Sequence, residues 1–170
     1  MLLDAGADLE ATTSWGAMPV EWAATMGSAR VADLVLARGA KGMNVVAATN
    51  LGKLDLVRNF LDSGIRLTFP RQMAASELIS HAFYGACRNG YTDVAELLLD
   101  RGADVNAKGI LGGTGHWAAI DGHKETVAFL LAHGADLTIR DVKFHSTVEG
   151  WAAEGGYDEI RDLLRGSSTR

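Results

Sequence analysis

Glycine recurs along this chain after each apolar stretch, and this periodicity limits the possible folds more than any other feature. The intervals are 33, 25, 38 and 32 residues between five glycines: Gly6, Gly39, Gly64, Gly102 and Gly134. Apolar residues at i, i+3 and i+4 precede the last four of these glycines. This pattern predicts amphipathic helices, each ending at a glycine in the left-handed conformation.

A second, shorter helix is predicted before each of the longer ones. It contains small residues that allow close packing, such as Ala23-Ala24 and Ala118-Ala119. One more glycine separates the two helices in each unit: Gly27, Gly52, Gly90, Gly122 and Gly156. Neither helix can bury its apolar stripe alone, so we expect stacked helix-turn-helix units that share one core, which makes the chain an all-α solenoid.

Two segments resemble ankyrin repeats closely. Residues 113–136 and 90–107 both combine a turn glycine, a Leu-Leu-containing helix and an ending in Gly-Ala-Asp. The resemblance covers nearly the whole chain and implies a single ankyrin-repeat array over residues 1–170, with extended finger loops between the helix pairs. We place a partial unit at 1–12, units at 13–44, 45–67, 81–108 and 109–140, and a C-terminal capping unit at 141–170.

Two of these units are expected to be irregular. The second is short and leaves little room for a finger loop, while residues around 66–80 exceed the usual spacing and predict an irregular connection that includes Ala74 to Ser80. In the fourth unit, an apolar residue of the family pattern is expected to be missing between Thr114-Gly115 and His116. Gly115 would then absorb the backbone strain.

Composition excludes several classes of function. The net charge of −5, with both signs interspersed, offers no basic surface for nucleic acid and no polybasic patch for a membrane. The single cysteine, Cys87, cannot form an internal disulfide, and no apolar run reaches signal or membrane-span length. We therefore expect a cytoplasmic protein.

The first residues read as the last turn of a helix whose beginning is absent. We interpret the chain as a truncated product or as a protein that starts with exposed apolar surface. A monomer is expected, and self-association through the uncapped N-terminus is the alternative.

No residue pattern indicates catalysis, a metal or a cofactor. His116 and His123 lack the spacing of a metal site, and the ankyrin resemblance makes His116 a structural link between turns and His123 a turn-capping residue. Cys87 is expected to be buried and inert, and the glycines at 109–115 lack the lysine of a phosphate-binding loop. Trp22, Trp117 and Trp151 occupy equivalent repeat positions, which we interpret as core.

The resemblance implies a partner-binding concave face made of finger tips and short-helix ends. Ten residues are predicted to bind there: Trp15, Met26, Leu51, Arg88, Asn89, Ile110, Leu111, Ile120, Asp121 and Phe144. Several are apolar where the stack does not need them, as interface anchors are. We therefore expect a non-catalytic protein-binding module or scaffold. The alternatives are a regulatory or targeting segment of a larger enzyme or effector and, less favoured, a small metal- or nucleotide-dependent enzyme.

Overall fold

The computed structural model describes residues 4–14, 16–63, 74–108 and 113–167. These residues form ten α-helices and no β-strand, so the predicted all-α class is confirmed for the described part of the chain. The chain divides into two compact units, unit 1 (Met1–Ala74) and unit 2 (Ala75–Arg170). No helix in the described residues is long and apolar enough to cross a lipid bilayer.

Unit 1 contains two helix pairs. They are formed by α1 (Pro19–Thr25), α2 (Ala29–Ala37), α3 (Val45–Asn50) and α4 (Leu54–Asp62). Each first helix packs on its own second helix, and α1 packs on α3. One buried cluster holds the pairs together: Ala23, Ala24, Ala32, Ala47 and Leu51. The small alanines allow the close approach that the sequence predicted.

Unit 2 contains three helix pairs built in the same way. They are α5 (Ala75–Arg88) with α6 (Thr92–Asp100), α7 (Thr114–Ile120) with α8 (Lys124–Ala132), and α9 (Val148–Glu154) with α10 (Asp158–Ser167). The first helices α5, α7 and α9 pack side by side in that order, and so do the second helices α6, α8 and α10. The surface formed by α5, α7 and α9 is called the first-helix face below.

The turn inside each pair has the same hydrogen bond in all five pairs. A backbone N–H after the turn donates to a buried alanine carbonyl, as His123 does to Ala118 at 2.8 Å and Tyr157 to Ala152 at 2.9 Å. The turn requires a residue with positive φ, which is +78° at Gly122. A Cβ there would also collide with the ring of Tyr157, so glycine is needed for both conformation and space.

The predicted glycine stops are confirmed where the structure describes them. The N–H of Ala103 donates to the carbonyl of Leu98 at 3.1 Å, and the intervening Gly102 has a φ of +87°. Gly134 closes α8 in the same way, with Ala135 bonded to Leu130 at 3.0 Å. These bonds satisfy carbonyls that every helix end leaves unpaired. Gly64 lies outside the described residues.

Two expectations about irregular segments are wrong. Residues 75–80 are not an irregular connection, since they form the first turns of α5, where Leu78 is buried and Glu77 stands near the positive helix end. The expectation that Gly115 absorbs backbone strain is also wrong, because Gly115 lies within α7 and is not among the glycines with positive φ. Its small size instead makes room for Leu137. The apolar residue expected to be missing before His116 stays a prediction.

Candidate functional site

His116 links two consecutive helix pairs of unit 2 and is structural. Its Nδ1 accepts a hydrogen bond from the N–H of Gly113 at 3.2 Å, and its Nε2 lies 3.2 Å from the carbonyl oxygen of Ser146. Burial lowers the pKa of His116, although hydrogen bonds and the Asp141 carboxylate oppose the shift. A neutral ring can accept at Nδ1 and donate at Nε2 simultaneously, so the geometry and the pKa agree.

The finger loop between α8 and α9, residues 141–146, is built around one buried carboxylate. Oδ1 of Asp141 accepts from the N–H groups of Lys143 at 2.8 Å and Phe144 at 2.6 Å. Oδ2 accepts from the N–H of Ser146 at 2.8 Å and from the Trp151 indole at 3.0 Å. Burial raises the pKa of Asp141, but these hydrogen bonds outweigh it and hold the pKa well below its usual value.

This loop holds Phe144 at the end of an aromatic row. The row consists of Phe144, Trp151 and Trp117, with ring centroids 6.1 Å apart for the first two and 5.3 Å apart for the last two. Both contacts are edge-to-face, the arrangement that aromatic quadrupoles favour. Phe144 is 61% exposed, whereas Trp151 is buried and Trp117 is half-buried.

A cation lies over each end of the row. The guanidinium carbon of Arg88, on α5, is 4.7 Å from the ring centroid of Trp117. The ammonium of Lys143 is 4.9 Å from the ring centroid of Phe144. The resulting surface spans α5, α7, α9 and the finger loop, and it combines apolar rings with two positive charges.

Three other predicted binding residues of unit 2 lie at the ends of α5 and α7. Asn89 is half-buried, and its side-chain amide donates to the carbonyl of Gly85 at 2.8 Å. Ile120 is half-buried and packs partly against the core of α7, α9 and α10. Asp121 is exposed at the C-cap of α7. With Arg88 and Phe144, the structure describes five of the predicted residues in unit 2.

The predicted binding residues of unit 1 differ in solvent exposure. Met26 is 54% exposed at the C-cap of α1. Leu51 is only 9% exposed and belongs to the core of that unit, so the expectation that packing does not need it is wrong. A turn residue directly after a short helix can point inward, and sequence spacing alone does not resolve that. Trp15, Ile110 and Leu111 lie outside the described residues.

The interpretation of the three tryptophans as core is wrong for Trp22, which is 40% exposed. Trp117 is only partly covered, and Trp151 is buried as expected. Sequence reasoning therefore missed that Trp117 is only half-buried and that Arg88 lies over its ring. Its position before the Ala-Ala pair was the available signal, but it was assigned to packing.

The described residues bring together no catalytic group. Cys87 is buried, and burial raises the pKa of its thiol far above the usual value, which keeps the thiol protonated. No cluster of His, Cys, Asp or Glu in the described residues has the arrangement of a metal site. His123 stands at the N-cap of α8, where its side chain forms no capping hydrogen bond and its ring packs against Gly90.

Stacked helix pairs with glycine-ended turns and finger loops define a repeat protein whose helices present an extended surface. The profile of the Ankyrin repeat family matches residues 81–110 and 116–142. The chain therefore contains ankyrin repeats at these residues. Ankyrin repeats are protein–protein interaction modules and are themselves non-catalytic.

Three curated proteins illustrate the similarity. The chain is 36% identical over 104 residues to Palmitoyltransferase Hip14 of Drosophila melanogaster, covering 60% of this chain and 16% of that protein. It is 29% identical over 177 aligned positions to Ankyrin repeat protein nuc-2 of Neurospora crassa, covering 95% of this chain and 16% of that protein. It is 39% identical over 59 residues to human BCL-6 corepressor-like protein 1, covering 34% of this chain and 3% of that protein. The chain thus spans a small part of each relative's length.

Proposed function

We propose that this chain is a non-catalytic module that binds a protein partner through the first-helix face of unit 2. The binding residues are Arg88, Asn89, Ile120, Asp121 and Phe144, joined by the row residue Trp117. Ile110 and Leu111 stay in the proposal on the sequence pattern alone. Met26 and Trp15, which belong to unit 1, stay separate predictions of partner-binding residues. Leu51 is left out because it is buried.

The main support for this proposal is the solvent exposure of the Phe144 side chain. An aromatic side chain that is 61% exposed leaves apolar surface in water, and the folded chain gains little from it. The backbone around it is nevertheless fixed by the bonds to Asp141, so a partner would meet a preorganised ring and lose little conformational entropy on binding. Aromatic residues and arginine are the residue types that most often dominate interface energies.

The net charge of the chain favours a protein partner over nucleic acid or an anionic membrane. The net charge of −5 opposes association with polyanions such as nucleic acid and anionic membranes. The proposed face is mixed in charge, since it carries the cations Arg88 and Lys143 and the exposed carboxylate of Asp121. Such a pattern suits a partner with its own mixed charges. We propose that the chain acts as a monomer in the cytoplasm.

A second candidate is supported by the comparisons. The chain aligns with 16% of the length of both Palmitoyltransferase Hip14 and nuc-2. The repeats would then serve as the regulatory or targeting segment of a larger enzyme or effector, using the same face. An immunoblot of the native cell extract distinguishes the two cases: a band near 18.0 kDa favours the isolated module, and a much larger band favours the segment.

The binding proposal is tested by affinity capture from native extract with three baits. These are the parent chain, Phe144→Ala on the proposed face, and Phe129→Ala as a matched control on α8. Both substitutions remove one phenyl ring, but Phe129 contacts His133 on the second helix and not the aromatic row. A partner retained by the parent and by Phe129→Ala, and lost by a folded Phe144→Ala, supports the face. Equal retention by all three baits contradicts it.

A further inference from the structure

Among the described residues, the guanidinium of Arg88 has hydrogen-bond donors without an acceptor on the first-helix face. Its carbon lies 4.7 Å from the ring centroid of Trp117, and Arg88 is half-buried. No carboxylate oxygen lies within 4.0 Å of the Arg88 guanidinium in the part of the chain that the structure describes, and no acceptor there forms a hydrogen bond with it.

Stacking on Trp117 does not use the hydrogen-bonding capacity of Arg88. A guanidinium that lies over a ring interacts through its face, and its five N–H donors point outward in its own plane. Neighbouring polar groups do not use that capacity either. Asp121 is exposed one turn beyond Trp117 and forms no ion pair with Arg88. Burial raises the pKa of the Tyr84 hydroxyl and the positive charge of Arg88 opposes this shift electrostatically, but the two groups form no hydrogen bond. The half-buried Arg88 cation therefore has no hydrogen-bond acceptor among the described residues.

We infer that Arg88 receives a carboxylate from an aspartate or glutamate side chain of the protein partner. A carboxylate has two acceptor oxygens, which match the planar fork of guanidinium donors, and the half-buried position of Arg88 strengthens charge-assisted hydrogen bonds. The aromatic row lies beside Arg88, so an apolar residue next to the acidic one would pack on Phe144. This inference rests on the proposed function and specifies the partner's chemistry.

A single acidic side chain fits these donors better than a phosphorylated or polyanionic group does. Arg88 supplies one positive charge, whereas phosphate recognition in proteins usually recruits several cations. Lys143 is engaged over Phe144, at the far end of the row. Asp121 adds a negative charge to the same face, which a doubly charged group would tolerate less well than a single carboxylate.

The test uses a phage-displayed library of random linear peptides, selected on the parent chain and counter-selected on Phe144→Ala. Enriched peptides are then synthesised with amidated C-termini, so that only side-chain carboxylates remain. Each is compared with a version in which Asp or Glu is replaced by Asn or Gln. Binding is measured on the parent, on Arg88→Gln, and on Trp117→Phe, a control that keeps an aromatic ring beneath the guanidinium.

We expect the enriched peptides to share one acidic position beside an apolar residue. The acid-to-amide change should weaken binding to the parent on the order of tenfold or more, and change binding to Arg88→Gln by about twofold or less. Trp117→Phe keeps a ring beneath the guanidinium and should keep the preference for the acid. Circular dichroism melting of each variant, compared with the parent, confirms that the fold is kept.

Two results would overturn the inference in distinguishable ways. Peptides that depend on Phe144 but show no acidic preference, or whose acid matters equally on Arg88→Gln, would refute the carboxylate while leaving the proposed face intact. A failure to enrich any peptide over Phe144→Ala would count against both the inference and the proposed function.

Discussion

The ring of His116 joins two consecutive repeats, since its Nε2 lies 3.2 Å from the backbone carbonyl of Ser146 in the next loop. In unit 1 a carboxylate links the two helix pairs instead of a histidine. Glu21 directly precedes Trp22, as His116 precedes Trp117. The Glu21 carboxylate accepts from the N–H of Met18 at 2.7 Å and from the side-chain amide of Asn44 in the next pair. The link between neighbouring pairs is therefore a property of the position and not of histidine alone.

Replacing His116 with alanine should cost about 2 to 3 kcal/mol of unfolding free energy. The change removes two hydrogen bonds and leaves the part-buried N–H of Gly113 without its acceptor, while the carbonyl of Ser146 keeps only the bond from the N–H of Asp141. Urea denaturation measures the loss. His133→Ala is the control, because His133 is exposed and bonds only to its own helix, and it should cost less than half as much. Equal costs for the two variants would mean that the link contributes nothing specific.

The stability of the chain should fall as the pH drops below about 6.5. Burial lowers the pKa of His116 in the folded state, so the unfolded chain binds a proton first as the solution becomes acidic. The contribution is complete above the unfolded pKa and is lost as the pH falls toward the folded one. Urea midpoints from pH 7.5 down to about 5 test this, and His116→Gln should reduce the slope. His81, whose pKa burial also lowers, contributes the remaining slope. An unchanged slope in the variant would contradict the assignment.

Leu98→Ala and Leu130→Ala should each destabilise the chain by about 2 to 5 kcal/mol. Both side chains are fully buried, at equivalent positions in α6 and α8. Val142→Ala is the control, because Val142 is 73% exposed in the finger loop and should cost less than about 0.5 kcal/mol. A loss below about 1 kcal/mol at either leucine would contradict its place in the core.

Asp141→Asn should loosen the finger loop and lower the urea midpoint. An amide keeps one acceptor oxygen but places an NH₂ group against backbone N–H donors that now bond to the carboxylate. Cleavage after Lys143 by trypsin should become faster than in the parent. Asp121→Asn, at an exposed position, is the control and should leave both measurements unchanged. Unaltered cleavage in Asp141→Asn would mean that the carboxylate does not organise the loop.

The repeat architecture could be predicted from the sequence because its signals are local. A glycine that needs positive φ and an apolar spacing of three or four residues specify a helix and its end without reference to the rest of the chain. The family pattern likewise identified His116 as a link between turns. The extension of α5 back to Ala75 was missed because the spacing argument assumed a standard unit, although no proline or glycine lies between Ala75 and Tyr84.

The binding surface was less predictable because it depends on which side chains cover one another. Trp22, Trp117 and Trp151 have the same position in their repeats, so the sequence predicted the same burial for all three. In the structure the finger-loop residue Phe144 packs on Trp151, and no finger-loop ring packs on Trp117 in the same way among the described residues. Leu51 shows the reverse case, an apolar residue near a helix end that turns into the core. Such differences arise from tertiary packing, which repeat register does not encode.

The central claim is that the first-helix face of unit 2 contacts a protein partner, and site-specific photocrosslinking tests it most directly. A benzophenone amino acid is placed at position 144 in one sample and at position 129 in another, and both are irradiated in native cells. The account predicts a discrete crosslinked protein at position 144 that is absent at position 129. A crosslink at 129 alone, or the same crosslinked products at both positions, would contradict it.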